Sequence, residues 1–421
     1  MTAALRRSFD SLQIPNYRRY FAGQLVSLSG TWMQTVAEVW LVLTLTGSGV
    51  AVGLTTALQF LPILLFGAWG GLLADRLRKR RLLMATQALM ALPALALFAL
   101  SLADAVTAPA VYALVFARGA INAVDNPTRQ SFVIEMVGAG RVVNAVSLNS
   151  VLVHSARIVG PALAGVLIAT VGVEPCFAIN AGTFAVMIAA LWRMEPEALR
   201  SAPPAGREPG AVRSALRYVA RTPRLGVPLA LMALVGTLGY NFQTVLPLLA
   251  RFSFDGGAAT YAALVSAMGA GSVVGALVTG ARGRTGPPLI AASALAFGVL
   301  SLLAAGAPTL ALALPVLALL GAAAVTFAAS INSYLQLEVA PEMRGRVMAL
   351  YSIVFLGSTP IGGPIAGWLS EAFDPRVALA LAGVSGLSAA WAARTALARA
   401  ERRTPGRGLV ADPELEEHLV A

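Results

Sequence analysis

Apolar residues in this chain do not alternate with polar ones at the strand period; they run together in long blocks. The windows 39–74, 82–103, 256–281 and 285–337 contain no charged residue. Each exceeds the roughly 20 apolar residues that cross a hydrocarbon core as a helix, and the last is long enough for two crossings and a turn. Breaks at Gly, Pro and charge divide the blocks into twelve helices. They are expected to begin near Tyr20, Ala51, Leu82, Pro109, Val142 and Pro175, and again near Leu225, Ala259, Pro287, Thr309, Val347 and Arg376. The expected fold is an all-α membrane protein, twelve transmembrane helices in two bundles of six. Residues 1–193 form the first bundle, 194–224 a cytoplasmic connector, 225–398 the second bundle and 399–421 a cytoplasmic tail. Within the Arg- and Pro-rich interval from Arg193 to Arg224, the stretch 212–220 reads as a basic amphipathic helix lying on the membrane.

Composition agrees with the pattern: 57% of the 421 residues are hydrophobic and 12% charged, against about 25% charged in a soluble domain. A formal charge of +11 would suggest nucleic acid in a soluble protein. Its placement suggests a bilayer instead. With both termini cytoplasmic, that side receives the bases at 6, 7, 18 and 19, the cluster 76–81, Arg141, the connector arginines, Arg282, Arg284, Arg344, Arg346 and the tail, whereas the opposite side receives Arg251 and Arg376. This is the positive-inside distribution of an even number of spans. No cleavable signal peptide is expected; the first span directs insertion. One cysteine, Cys176, and two histidines, His154 and His418, make a disulfide, a metal cage or any cofactor unexpected. No phosphate-binding loop of the Walker type occurs, so ATP is not the expected energy source.

The two halves resemble each other. RVVNAVSLNSVLVHSARIVGPALAG from Arg141 lies on RGRVMALYSIVFLGSTPIGGPIAG from Arg344 at an offset of 203 residues, which also sets Glu135 on Glu338, Gly160 on Gly363 and Pro161 on Pro364. Span five is thereby equivalent to span eleven. A parallel repeat of this size brackets a central cavity.

On these residues the chain resembles the major facilitator superfamily, and within it the drug and siderophore efflux branch of the enterobactin exporters. GGLLADRLRKRRLL (70–83) resembles the loop signature between spans two and three, with Gly71, Asp75, Arg76 and Arg80 in place; it departs in Arg78, where a glycine is usual. RGAINAVDNPTRQ resembles the branch's span-four pattern, Arg118 matching its arginine, and ARIVGPALAG resembles the exporters' glycine-proline motif. The resemblance implies that Asp75 clasps the start of span eleven near Val347 in the outward-facing state, that Arg118 takes part in proton transfer, and that the glycine-proline step limits leakage.

Ionisable groups at membrane depth are costly and mark function by default. Glu38 in span one is the sharpest proton-coupling candidate, since burial would favour its neutral form and a nearby arginine its charged form. Arg118 and Asp125, seven residues apart, project from one face of span four. Arg118 could instead be the buried partner of Asp125 or Glu38, and Asp125 with Arg129 could form an inner-end latch with Asp75 and Arg76. His154 is expected to pack between helices, and Arg157 to face either the cavity or a span-four acid. Candidates for the cavity wall are Gln24, Trp32, Gln34, Trp40, Asn241, Gln243, Asn332 and Arg157; aromatics with scattered amides suit an amphipathic organic molecule. The gating and inter-bundle set is Gly71, Asp75, Arg76, Arg80, Arg129, Gly160, Pro161, Gly363 and Pro364.

The resulting expectation is a monomeric secondary transporter of the plasma membrane that exports an amphipathic small molecule, drug-like or siderophore-like, against proton entry by alternating access. Its partners are substrate, proton and the lipid bilayer, without nucleic acid. The rivals are a membrane-embedded enzyme built on Asp125, His154 and Ser155, a transporter-shaped sensor without turnover, and, among transporters, an importer.

Overall fold

The computed structural model describes residues 10–200, 211–282 and 285–397, and among these every regular element is helical. The helices of the first half are α1 (Pro15–Thr46), α2 (Gly49–Arg76), α3 (Lys79–Leu102), α4 (Ala108–Val137), α5 (Val142–Thr170) and α6 (Glu174–Trp192). A connector helix, α7 (Ala211–Arg221), leads to α8 (Pro223–Gly239), α9 (Phe242–Leu248), α10 (Ala258–Arg282), α11 (Pro287–Ala305), α12 (Leu310–Glu338), α13 (Arg344–Ala372) and α14 (Pro375–Ala392). Ten segments are long and apolar enough to cross a bilayer, with α8, α9 and the π turn Leu249–Ser253 counted as the single segment Pro223–Ser253. The two long helices that fall short of that hydropathy, α1 and α4, carry Gln34 and Glu38 on one and Arg118, Asp125 and Arg129 on the other. They are compatible with the expected twelve, and their deficit is the polar cargo they bury.

The local chemistry of the starts is plain. Proline occupies the first turn of α1, α4, α6, α8, α11 and α14, where its missing N–H costs nothing. Ser48 caps α2 by accepting from the Ala51 amide at 3.2 Å, and Asp374 caps α14 by accepting from the Arg376 amide at 2.7 Å. Gly47, at φ 64°, closes α1 in the left-handed conformation that a side chain resists. The turn between α2 and α3 needs no such residue: Leu77 (φ −102°) and Arg78 (φ −63°) are extended, so the replacement of the usual glycine by Arg78 is tolerated.

Two features depart from the sequence reading. The seventh span is broken, because Tyr240 (ψ 36°) and Asn241 (ψ 31°) leave the helix before α9 resumes. The connector helix turns Ala215 and Val219 inward and packs on α8 and α13, so those apolar positions meet protein.

The halves meet chiefly where α2 packs on α13 and α5 on α10, with α9 touching α1 and α2. We call the end carrying the α1–α2 and α13–α14 turns the far end, and the end carrying the α2–α3 turn and the connector the near end. At the far end the halves are sealed. Gly49 faces Gly367 and Gly53 faces Gly363 so closely that a Cβ on any of the first three would press on the opposite backbone, the small-residue contact by which helices associate in lipid. Glu371, at the end of α13, accepts from the Ser48 hydroxyl at 2.5 Å and the Val50 amide at 2.9 Å, thus meeting the N-terminus of α2. Thr244 donates to Thr56 at 3.1 Å deeper in. Near-end ion pairs among the described residues, Arg19–Glu195, Lys79–Glu135, Arg141–Asp10 and Arg224–Glu338, each stay within one half.

Candidate functional site

In the first half, a row of buried polar side chains crosses from α4 through α1 to α6. Arg118 Nη2 donates to Glu38 Oε2 at 2.5 Å, and Gln34 Nε2 donates to Glu38 Oε1 at 2.7 Å. Asn180 Nδ2 donates in turn to Gln34 Oε1, and the Thr183 hydroxyl donates to Asn180 Oδ1 at 2.9 Å. The sequence builds this row simply: Gln34 and Glu38, four apart, share a face of α1, and Gly30, one turn earlier, leaves the space that Asn180 and Thr183 fill. Glu38 is only 1% exposed and Arg118 5%. The Arg118 Nε is buried without a partner, so the guanidinium has a donor to spare.

Two helical turns further along α4, toward the near end, Asp125 forms a second centre. Its Oδ1 accepts from Thr86 at 2.6 Å and Gln87 at 3.0 Å, both on α3, and its Oδ2 accepts from Arg129. Ser27 of α1 donates to Gln87 Oε1 at 3.2 Å. Of the partners left open by the sequence, Arg118 therefore takes Glu38, and Asp125 takes Arg129. The expected inner-end latch is corrected: Asp75 and Arg76 form no bond to Asp125 or Arg129, because α2 and α3 bring Thr86 and Gln87 to that carboxylate instead. Neither Asp75 nor Arg76 makes an ion pair across to α13 in this sealed-far-end arrangement.

Between the halves lies a cavity of about 270 Å³. Its wall carries six aromatic rings, Trp32, Phe60, Tyr240, Phe242, Tyr261 and Phe355, together with Thr35, Thr56, Gln243 and Thr359. Among the described residues that line it, Arg157 is the one charged side chain, and its guanidinium carbon sits 5.0 Å from the centre of the Trp32 ring. The helix break between α8 and α9 delivers Tyr240, Phe242 and Gln243 to the wall; the Tyr240 hydroxyl donates to the Ala324 carbonyl at 2.7 Å and its ring meets Phe297 edge-on. Irregular backbone beside a cavity is where membrane helices tolerate it.

Of the eight residues expected on the wall, Trp32, Gln243 and Arg157 are there. The other five lie elsewhere. Gln34 is spent in the Glu38 row, and Trp40 is buried, its ring stacked on Tyr261. Gln24 is a buried residue of α1 and does not line the cavity. Asn241 donates to the Thr237 carbonyl at 2.7 Å and packs against Gly362, and Asn332 bonds to Gln336. Missed in the sequence were the tyrosines and phenylalanines of the wall, which nothing distinguishes from lipid-facing residues, and the Lys79–Glu135 pair at 2.5 Å.

The remaining signature positions have separate places. Gly71 is buried near the end of α2, while Gly70 beside it abuts the backbone of Ala123 on α4. Arg80 ties the α3 start to the end of α6, donating to the carbonyls of Leu191 and Trp192 at 2.7 Å each, as a cation at a helix C-terminus should. Gly160 packs against the Ser29 carbonyl and Trp32 of α1, inside the first half, whereas its repeat mate Gly363 faces Gly53 of α2 across the halves. Helices α5 and α13 run on through Pro161 and Pro364. The side chain of His154, expected to pack between helices, lies outside the described residues.

Comparison with known proteins follows the same lines. A family model described as "transmembrane secretion effector" matches residues 7–419. The chain is 30% identical over 151 residues to the staphyloferrin A transporter of Staphylococcus aureus, an alignment spanning 36% of this chain and 38% of that protein. It is 28% identical to the multidrug efflux pump Tap of Mycolicibacterium fortuitum, over 83% of this chain and 87% of the pump. It is 25% identical to the enterobactin exporter EntS of Salmonella choleraesuis, over 88% and 89%. Among solved structures, a bacterial homologue of the lysosomal transporter Spinster, in an inward-facing and unoccupied conformation, superposes with a TM-score of 0.68 at 17% identity, over 91% of this chain and 94% of that one.

Proposed function

The chain belongs to the transmembrane secretion effector family of the major facilitator superfamily and is a multi-pass membrane transporter rather than an enzyme; from that premise we propose that it is a proton-driven exporter of an amphipathic small molecule. The observation that carries the reading is the buried Glu38–Arg118 pair standing behind a cavity that lies between two halves joined tightly at one end. The positive-inside distribution supports a cytoplasmic near end, from which the cavity would receive solute. The siderophore and drug transporters among its relatives favour a siderophore-like or drug-like solute.

Export then requires the far-end contacts to part and the near end to close. Parting breaks the Glu371 contact with Ser48 and Val50 and the glycine seams between α2 and α13. Closing brings Asp75, free here, toward the exposed amides at the start of α13, where a carboxylate is stabilised by the helix dipole. The same two antiparallel helices thus carry a carboxylate latch at each end, one made and one open.

The proton acts through α1, whose Thr35 and Val36 line the cavity while Gln34 and Glu38 face into the first half. Protonating Glu38 would leave Arg118 a buried cation without its counter-charge, a cost that a new arrangement of α1 and α4 relieves. Coupling requires only that proton and solute favour opposite states.

The test is uptake into inverted proteoliposomes under an imposed pH gradient, with a catecholate siderophore as the solute. Glu38→Gln abolishes gradient-driven uptake while solute counterflow persists. Undiminished gradient-driven uptake by both Glu38→Gln and Asp125→Asn would refute proton coupling through these acids.

A further inference from the structure

We propose that Arg157 and the face of Trp32 form the subsite for an anionic group on the transported molecule, so that this chain selects amphipathic organic anions over organic cations. The inference deepens the transport reading and rests on it. Among the described residues, the other buried charges of the first half are answered: Arg118 by Glu38, Arg129 by Asp125, Lys79 by Glu135. Arg157 is not. It lies on α5 with its guanidinium over Trp32, its Nε makes no hydrogen bond, and among the described residues no carboxylate lines the cavity with it. The three acids of α1 and α4, Glu38, Asp125 and Glu135, are committed to Arg118, Arg129 and Lys79.

A guanidinium kept at membrane depth without a counter-charge is expensive, and the expense is recovered when a ligand supplies the charge. The Trp32 ring holds the planar fork by cation–π attraction and leaves its N–H edge for an acceptor. A second vacancy points the same way. Gln243, across the cavity on α9, has a buried amide oxygen with no donor. The wall thus offers a positive fork, one unfilled amide and six aromatic rings, which fits a carboxylate, sulfonate or phenolate carried on an aromatic or aliphatic body that also bears an O–H or N–H. An organic cation would meet the same guanidinium as a like charge, with no acid to offset it.

The experiment compares two dyes that share a xanthene body and differ in charge, 5-carboxyfluorescein and rhodamine 6G, by fluorescence anisotropy with the full-length protein in nanodiscs. Wild type binds the carboxylate dye more tightly. Arg157→Gln weakens its binding about tenfold and leaves or improves that of rhodamine 6G, which reports that the fold and cavity persist. Arg157→Lys, which keeps the charge but loses the planar fork, falls between. Wild-type preference for rhodamine 6G, saturable binding of neither dye, or carboxyfluorescein affinity unchanged in Arg157→Gln would each overturn the proposal. Counterflow of carboxyfluorescein in proteoliposomes separates the two readings: Arg157-dependent binding without any flux keeps the subsite and removes the transporter.

Discussion

At the scale of single residues, the protein is governed by the cost of charge away from water. Glu38 and Arg118 are each tolerable only because of the other. Removing one partner of such a pair costs about 3–5 kcal/mol, because the survivor is left unpaired, whereas removing both with apolar residues of similar size is often nearly neutral. We therefore expect Glu38→Ala to lower the thermal unfolding midpoint in detergent sharply, and Glu38→Met with Arg118→Met together to recover most of the loss. Additive losses in the double variant would mean that the pair is not the unit drawn here. The sequence made these residues conspicuous, since acids and arginines inside apolar blocks stand out. It left their pairing open, because which arginine meets which acid depends on the rotation of α1 against α4, and no periodicity encodes that.

At the scale of helices, close approach decides the shape. The α2–α13 seam depends on glycine at 49, 53 and 367, where a side chain would meet backbone. Gly53→Val is expected to hold the far end apart, so that a cysteine introduced at Thr244, buried here at 0% exposure, reacts several-fold faster with a membrane-impermeant thiol reagent added from that side. An unchanged rate would show that the seam is not the seal. Glu371→Ala removes a carboxylate that caps α2 from the other half, a contact comparable to an N-cap at about 1 kcal/mol. It should produce an acceleration of roughly fivefold in the same assay, while Glu371→Asp should lose part of the contact only.

The starts of these helices were legible within a few residues because proline, glycine and charge punctuate the apolar blocks, as at Pro175, Pro287 and Pro375. The break at Tyr240 and Asn241 was not, since neither residue forbids a helix and Pro247 lies a turn and more beyond. The cavity wall was legible only in part for a related reason. In a membrane protein the lipid-facing and cavity-facing surfaces are both apolar, so Phe60, Tyr261 and Phe355 carry no mark that separates them from Leu65 or Leu92, which face outward. Polarity marks Gln243 and Arg157 correctly but equally marks Gln34 and Asn241, which hydrogen-bond within one half, and Gln24, which is buried in α1.

For the whole molecule, two helical halves are joined at one end and hold an aromatic cavity between them, an arrangement compatible with the sequence repeat at an offset of 203 residues. The central claim is that these halves exchange which end is closed. Spin-label distances test it directly, with one pair at Thr46 and Phe373 on the far end, one at Arg78 and Arg344 on the near end, and the buried Cys176 replaced by alanine. Lowering the pH or substituting Glu38→Gln should lengthen one distance distribution while it shortens the other, with both states present in one sample. Distances that move together, or do not move at all under any pH or with the Glu38 variant, would contradict the account.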